Sequence, residues 1–331
     1  MFGYVSLSQA GQWDMAGQAS LDLRYFPSAV AFPNQKNTMF SPSGSLQPEL
    51  VYESADRDDR FTFTPFIRLD ADDKRRTHSD IREANWLHVG SNWDVVVGIG
   101  KVFWGVTESV HLVDIINQSD AVEDISGEQK LGQPMVNFSI EQTWGVFNLI
   151  ALPGFRPRTF SADNARLHGP LPIDAYNETY ESGQGKRHID WAARWSHTFS
   201  DVDVALSHFQ GTSREPLLRL QNRAGTIIAV PHYNQIGQTG FEFQLTTNNT
   251  LWKAEAFSRS GHGKRFYAAV AGFEHTLYGV FDSSMDIGLL MGYLSDNRDP
   301  SLAPSSSADN DLFAGLRFCT SAMCPRLPCP D

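Results

Sequence analysis

The chain has 331 residues, of which 41% are hydrophobic and 20% charged, with a formal net charge of -11. That charge argues against a nucleic-acid partner, which needs a basic face for phosphate. No run of roughly 18 apolar residues is present, so a transmembrane helix is excluded, whereas a β-barrel is not, because half of every strand faces water and dilutes the apolar signal.

Residues Met1–Ala19 lack a basic stretch followed by an apolar core, so no intact export signal is visible; 1–16 read as a leader remnant or periplasmic segment. A barrel domain is expected over 17–318. Its strands show period-2 alternation. In Ser20–Phe26, Leu21, Leu23 and Tyr25 oppose Asp22 and Arg24. Leu46–Glu53 sets Leu46, Leu50 and Tyr52 against Gln47 and Glu49. Phe61–Asp70 sets Phe61, Phe63, Ile67 and Leu69 against Thr62, Thr64 and Arg68. Pro134–Gln142, His188–His197, Gly240–Thr247 and Leu251–Ser258 repeat the pattern, with Glu141, Asp190, Arg194, Glu242, Lys253 and Glu255 on the polar side. With the less regular segments, about 14 strands are visible, most of them of the length that crosses a bilayer at a tilt, roughly 9–11 residues. A complete protein of this kind could carry 16–18. The expected fold class is all-β: a transmembrane antiparallel up-and-down barrel.

The connections support that reading. Brief turns near Gly90, Trp144, Ser200, Asn249 and Gly279 alternate with long polar stretches at Pro27–Ser45, Gly105–Gln133, Gly154–Lys186, Gly211–Ile236 and Ser295–Asn310. Short periplasmic turns and long outer loops are what a membrane barrel shows. Phe61, Trp93, Trp144, Phe199, Trp252, Tyr278 and Phe281 cluster at the short turns, where a headgroup-level aromatic girdle is expected.

If the apolar face meets lipid, the polar face lines a lumen. The expected lining is Arg24, Glu49, Arg68, Glu83, Glu141, Arg194, Glu242, Lys253 and Glu255, joined by Asp22, Asp190, Glu274, Asp286 and Arg317. These are nine acids against five bases, which implies a mild cation preference if they are not merely paired across strands. Gly98 and Gly100 fall on the inner face, where glycine admits another backbone. Part of 104–133 is therefore expected to fold inward and narrow the lumen, with Glu108, His111, Asp114, Asn117 and Asp120 as the constriction; an outer cap that stays clear of the pore is the competing placement.

The runs Asp80-Ile-Arg-Glu-Ala-Asn-Trp86, Val97-Gly-Ile-Gly-Lys-Val-Phe-Trp-Gly105 and Leu112-Val-Asp-Ile-Ile-Asn-Gln-Ser-Asp120 resemble a motif of porin-like Gram-negative outer-membrane barrels, relatives of alginate-export-type channels among them. The resemblance is strongest over Ile81–Met135 and implies an uptake or export channel without catalytic chemistry. Gly98-Ile-Gly100-Lys101 lacks the spacer of a phosphate loop. The ten histidines show no metal-triad spacing. The three cysteines, Cys319, Cys324 and Cys329, sit in a tail, 319–331, of different composition; zinc is disfavoured there for want of a fourth ligand.

These features imply an outer-membrane channel for passive diffusion of small hydrophilic solutes. Its partners are the lipid bilayer and lipopolysaccharide, with no enzyme activity, cofactor, metal or nucleic acid. Two other readings stand beside it: a non-conducting barrel acting as receptor, adhesin or scaffold through its loops, and a soluble all-β glycan-binding or hydrolytic protein.

Overall fold

The computed structural model describes residues 11–304 and 309–320. The cysteines at 324 and 329 and part of the Ser/Pro-rich stretch 300–308 lie outside them. The strands, in chain order, are β1 (Gln12–Tyr25), β2 (Phe40–Glu53), β3 (Asp59–Asp70), β4 (His78–Val89), β5 (Trp93–Gly100), β6 (Gln133–Gln142), β7 (Gly145–Pro153), β8 (Thr179–Tyr180), β9 (Ile189–Phe199), β10 (Val202–Thr212), β11 (Leu217–Arg223), β12 (Thr226–Tyr233), β13 (Gln235–Thr247), β14 (Thr250–Ser260), β15 (Phe266–Leu277), β16 (Met285–Asp296) and β17 (Asp311–Thr320).

Fourteen of them form one antiparallel sheet in the order β1 to β7, β9, β10, then β13 to β17. Each pairs with its neighbour in the chain, an up-and-down meander of transmembrane-barrel type. β8, β11 and β12 form a separate three-stranded sheet within the long connections. No ladder links β1 to β17 among the described residues. β1 begins and β17 ends slightly outside the limits 17 and 318 drawn from sequence, and β2 begins at Phe40, inside the stretch read as loop to Ser45.

Alternation decides which face meets what. Leu21, Leu23, Phe61, Ile67, Leu69, Leu149, Phe241 and Leu316 lie on the outer face and are 40% exposed or more. A soluble sheet would cover them; these side chains point away from the interior, against the competing soluble reading. The aromatics expected at the short turns are all exposed. Six of the strands carry a continuous chain of rings at that rim: Trp13, Tyr52, Phe61, Trp86, His88, Trp93 and Phe138, with successive centroids 5.0 to 6.4 Å apart. Such a belt sits where headgroups meet hydrocarbon.

Two local features shape the interior. A β-bulge shifts the β3–β4 register at Thr64/Pro65, so that Thr64 faces Glu83 while Pro65 faces Ile81. The extra residue is Arg82. Both Arg82 and Glu83 then reach inward, which strict alternation forbids. On β5, Gly98 has φ 132°, and a Cβ there would lie 2.3 Å from the Ala84 carbonyl oxygen. Only glycine fits.

Candidate functional site: a segment folded across the barrel interior

The 32 residues between β5 and β6 do not extend away from the barrel. They pack among inward-facing side chains from most of its circumference. On one side, Trp104, Val113, Ile115 and Ile116 join Met135 (β6), Ile150 and Leu152 (β7), Ala192 (β9), Phe209 (β10) and Ile236 (β13) in a buried cluster. Over that arc the inner face carries these apolar side chains as well as the polar ones that sequence alternation placed there.

Polar anchors fix the segment's path. Asn117, 2% exposed, ties its two ends together. The Asn117 carbonyl accepts from Val102 N–H at 2.8 Å, and its amide donates to the carbonyls of Gly100 and Leu131, each at 2.9 Å. Glu255 on β14, 1% exposed, holds the far bend. Its carboxylate accepts from Val106 N–H (2.7 Å), Thr107 N–H (2.9 Å), Thr107 Oγ1 (2.7 Å) and Val113 N–H (3.2 Å). Gly105, at φ 133°, brings that backbone close; a Cβ there would sit 3.0 Å from Glu255 Oε1. A buried carboxylate with these donors is well solvated by protein, and the three backbone N–H groups would be orphaned without it.

The opposite side is charged. Asp120, fully buried, accepts from Arg82 at 2.7 Å and from Thr159 Oγ1 at 2.8 Å. Arg68 bridges Glu123 (2.7 Å) and Asp22 (2.5 Å). Arg76 pairs with Asp70 at 2.6 Å and donates to the Val122 carbonyl at 3.0 Å. His78 Nε2 lies 3.9 Å from Asp120 and 3.8 Å from Glu123. Arg24, Arg68, Arg76 and Arg82, with Asp22, Glu123 and Asp124, line a polar cavity of about 600 Å³. From above, Arg214 of the β10–β11 connection, held by Asp190 at 2.8 Å, donates to the Ile116 carbonyl at 3.0 Å.

The expected constriction residues take distinct places. Asn117 and Asp120 are buried anchors. Asp114 is buried against Lys130 at 3.2 Å, and burial pushes its carboxyl up despite that ammonium. Glu108 is half exposed; its bond to Lys253, at 2.6 Å, pulls the carboxyl down against the opposing effect of burial. His111 stacks edge-on to Phe103, 4.7 Å between centroids.

Of the expected lining, Arg194 grips Glu242 through two bonds of 3.0 and 2.9 Å, and Lys253 also meets Glu274 at 2.5 Å. Glu141 shares a cavity of about 450 Å³ with Arg194, Asp203 and Glu242. Glu49 and Glu141 are exposed and Glu83 half-buried; none of the three enters an ion pair among the described residues. Arg76, Arg82 and Arg214 belong to this network but were not singled out from sequence. Arg82 was hidden by the bulge. Arg76 and Arg214 lie in connections, where no periodicity marks a direction.

No family model matches the chain, and no curated protein matches it. Solved structures do. A loop L8 deletion form of OmpT, an outer-membrane protein of Vibrio cholerae, is 11% identical over 87% of this chain and 84% of its own, with a TM-score of 0.49. Pseudomonas aeruginosa OccK11 (OpdR) is 11% identical over 94% of this chain and 75% of its own, at 0.44. Salmonella typhi OmpF, solved in complex with daunomycin, is 8% identical over 90% of this chain and 82% of its own, at 0.42. Likenesses this distant carry no chemistry across.

Proposed function

We propose that the protein is an outer-membrane, porin-like channel for passive diffusion of small hydrophilic solutes, and that the segment between β5 and β6 is its constriction. One observation carries this reading. A single segment is anchored at once to Arg68 and Arg82 on β3 and β4 and to Glu255 on β14, on well-separated strands of the same barrel. A segment so placed would narrow the interior, and cavities of about 450 and 600 Å³, lined by Val106 and by Glu123 and Asp124 of the segment, leave space beside it. The apolar outer face and its aromatic rim supply the membrane setting. Contact with lipid and lipopolysaccharide follows from that setting.

Most interior charges neutralise one another. Glu49, Glu83 and Glu141 stay outside the ion pairs among the described residues, as do Arg24, Lys101 and Arg317, so the mild cation preference rests on the excess of acids over bases in the expected lining. The test is conductance in planar bilayers. Discrete, ohmic single-channel currents with a small reversal-potential shift toward cations are expected. Silence at high protein load would defeat the channel reading and favour a non-conducting barrel whose outer three-stranded sheet and loops bind a partner.

A further inference from the structure

Three outer connections converge on one buried histidine. His262, between β14 and β15, is 2% exposed, and neither ring nitrogen has a partner among the described residues. Close packing on both sides fixes it there. A Cβ on Gly261 would collide with the Gln235 carbonyl oxygen of β13, and one on Gly263 would meet Leu302 of the β16–β17 connection at 2.7 Å. The charged groups around the ring are Arg259 of β14, Glu215 of the β10–β11 connection, Arg298 of the β16–β17 connection and Glu181 of the segment after β8. Glu215 draws the connections together, accepting from Arg259 at 2.8 Å and from Arg298 at 3.2 Å. Arg259 is also held by Gln238, and Arg298 by Asp296, each at 2.7 Å. Glu181 accepts from the Gln235 N–H at 2.7 Å.

This joint bears on the inserted segment. Arg214, the residue before Glu215, is 4% exposed and donates to the Ile116 carbonyl, with Asp190 holding its guanidinium. The N–H groups of Ser213 and Thr212 are bonded to the Asn234 carbonyl at 2.8 Å and to Asp190 at 2.9 Å. A connection clamped at Glu215 thus keeps Arg214 seated on the segment.

We propose that His262 is an acid-sensitive latch on the outer connections: with the ring neutral the joint is shut and Arg214 braces the inserted segment, and with the ring protonated the joint opens and the brace lifts. The shut joint holds two arginines and two glutamates around the ring. An imidazolium there would be a further buried cation beside both arginines, with no acceptor of its own among the described residues. In an open joint it would be hydrated. Burial and Arg259 push the ring down to about 4, against Glu215, whereas a solvated histidine titrates near roughly 6.5. The open joint therefore binds more protons between those values, and opening is favoured as pH falls. From pH 7 to pH 5 the open population should rise roughly twentyfold. Its effect on currents rests on the constriction reading above; the opening itself does not.

The test follows amide hydrogen exchange of the full chain in a non-ionic detergent at pH 7 and pH 5, scaled for the intrinsic rate at each pH and referred to amides of β6 and β7. The amides of Thr212–Glu215 should gain roughly twentyfold at the lower pH, and His262→Leu, which takes up no proton, should show no such gain. If His262→Leu fails to fold, His262→Gln replaces it. No gain in the unmodified chain would overturn the latch. So would an equal gain in the folded variant, which would point instead to His188, bonded to Asp190 at 2.8 Å. In planar bilayers the unmodified chain should switch between current levels at pH 5 but not at pH 7, and His262→Leu at neither. Steady currents at pH 5 from a conducting barrel whose exchange does rise would overturn the link through Arg214. A barrel silent at both pH values would defeat only the channel reading, and exchange would still decide the latch.

Discussion

Single side chains set the path of the inserted segment. Glu255→Gln would turn one accepting oxygen into a donor facing Val106, Thr107 and Val113. A buried N–H left without a partner costs about 1–3 kcal/mol. The heat-modification midpoint should fall accordingly, and single-channel noise should rise as the bend loosens. His262, in the β14–β15 connection, offers a second test. It is 2% exposed, and neither ring nitrogen has a partner among the described residues. Burial, reinforced by Arg259, pushes it down to about 4, with Glu215 opposing. The unfolded chain therefore binds more protons than the folded one between about pH 4 and 6.5. The histidine costs nothing above that window, and stability should decline as pH falls through it. Glu215 itself is pushed up by burial but pulled down to about 2 by Arg259 and Arg298, so it adds a further loss below about pH 4.5. His262→Leu should flatten the midpoint-versus-pH curve between 4 and 6.5; an unchanged curve would exclude His262 as its source. Of these residues, sequence pattern picked out Glu255 by its place in an alternating strand. His262 and Glu215 lie in connections, where no periodicity marks a direction, and the two arginines that meet Glu215 come from β14 and from the β16–β17 connection.

The β5–β6 segment is the element to which the proposed constriction is assigned. Its inward path was expected from Gly98 and Gly100, yet the backbone that crowds Gly98 is that of Ala84 and Asn85 on β4, and the nearest atoms to Gly100 belong to the Met135 and Asn85 side chains. Its anchors were legible only as residue types. Asn117 and Asp120 were named as constriction residues, yet they are buried and hold the segment rather than line an opening. The apolar half of the contact, Ile115 and Ile116 against Ile150 and Phe209, carried no sign in sequence, because apolar residues in a long loop have no periodicity to show their direction. The bulge at Arg82 was equally invisible: its irregularity lies in the pairing of two strands, not in either strand alone. Excising 106–116 should leave the sheet folded, since those residues belong to no strand of it. Conductance should at least double, because the narrowest element is gone and a barrel of this size has room for an aqueous passage. Unchanged currents would place the constriction elsewhere.

At the scale of the whole molecule, the meander of strands was readable because a period of two repeats along nearly every strand and the connections alternate in length. The separate sheet of β8, β11 and β12 was not, since its strands are short and join segments far apart in the chain. The two faces of the wall should respond differently to charge. Leu149→Arg on the outer face should destabilise by about 2–4 kcal/mol near the bilayer midplane, read from folding titrations in liposomes. Glu141→Arg, inward and exposed, should stay within about 1 kcal/mol and move the reversal potential toward anions. The most direct measurement is quenching of tryptophan fluorescence by lipids brominated along their acyl chains. Trp86, Trp93, Trp191, Trp195 and Trp252 hold outward positions in the register, while Trp104 is 5% exposed and packed within the inserted segment. The intact protein in brominated bilayers should lose most of its emission, and a variant retaining Trp104 alone should lose almost none. Full emission from the intact protein, or equal quenching of the Trp104-only variant, would contradict a barrel whose apolar face meets lipid and whose interior does not.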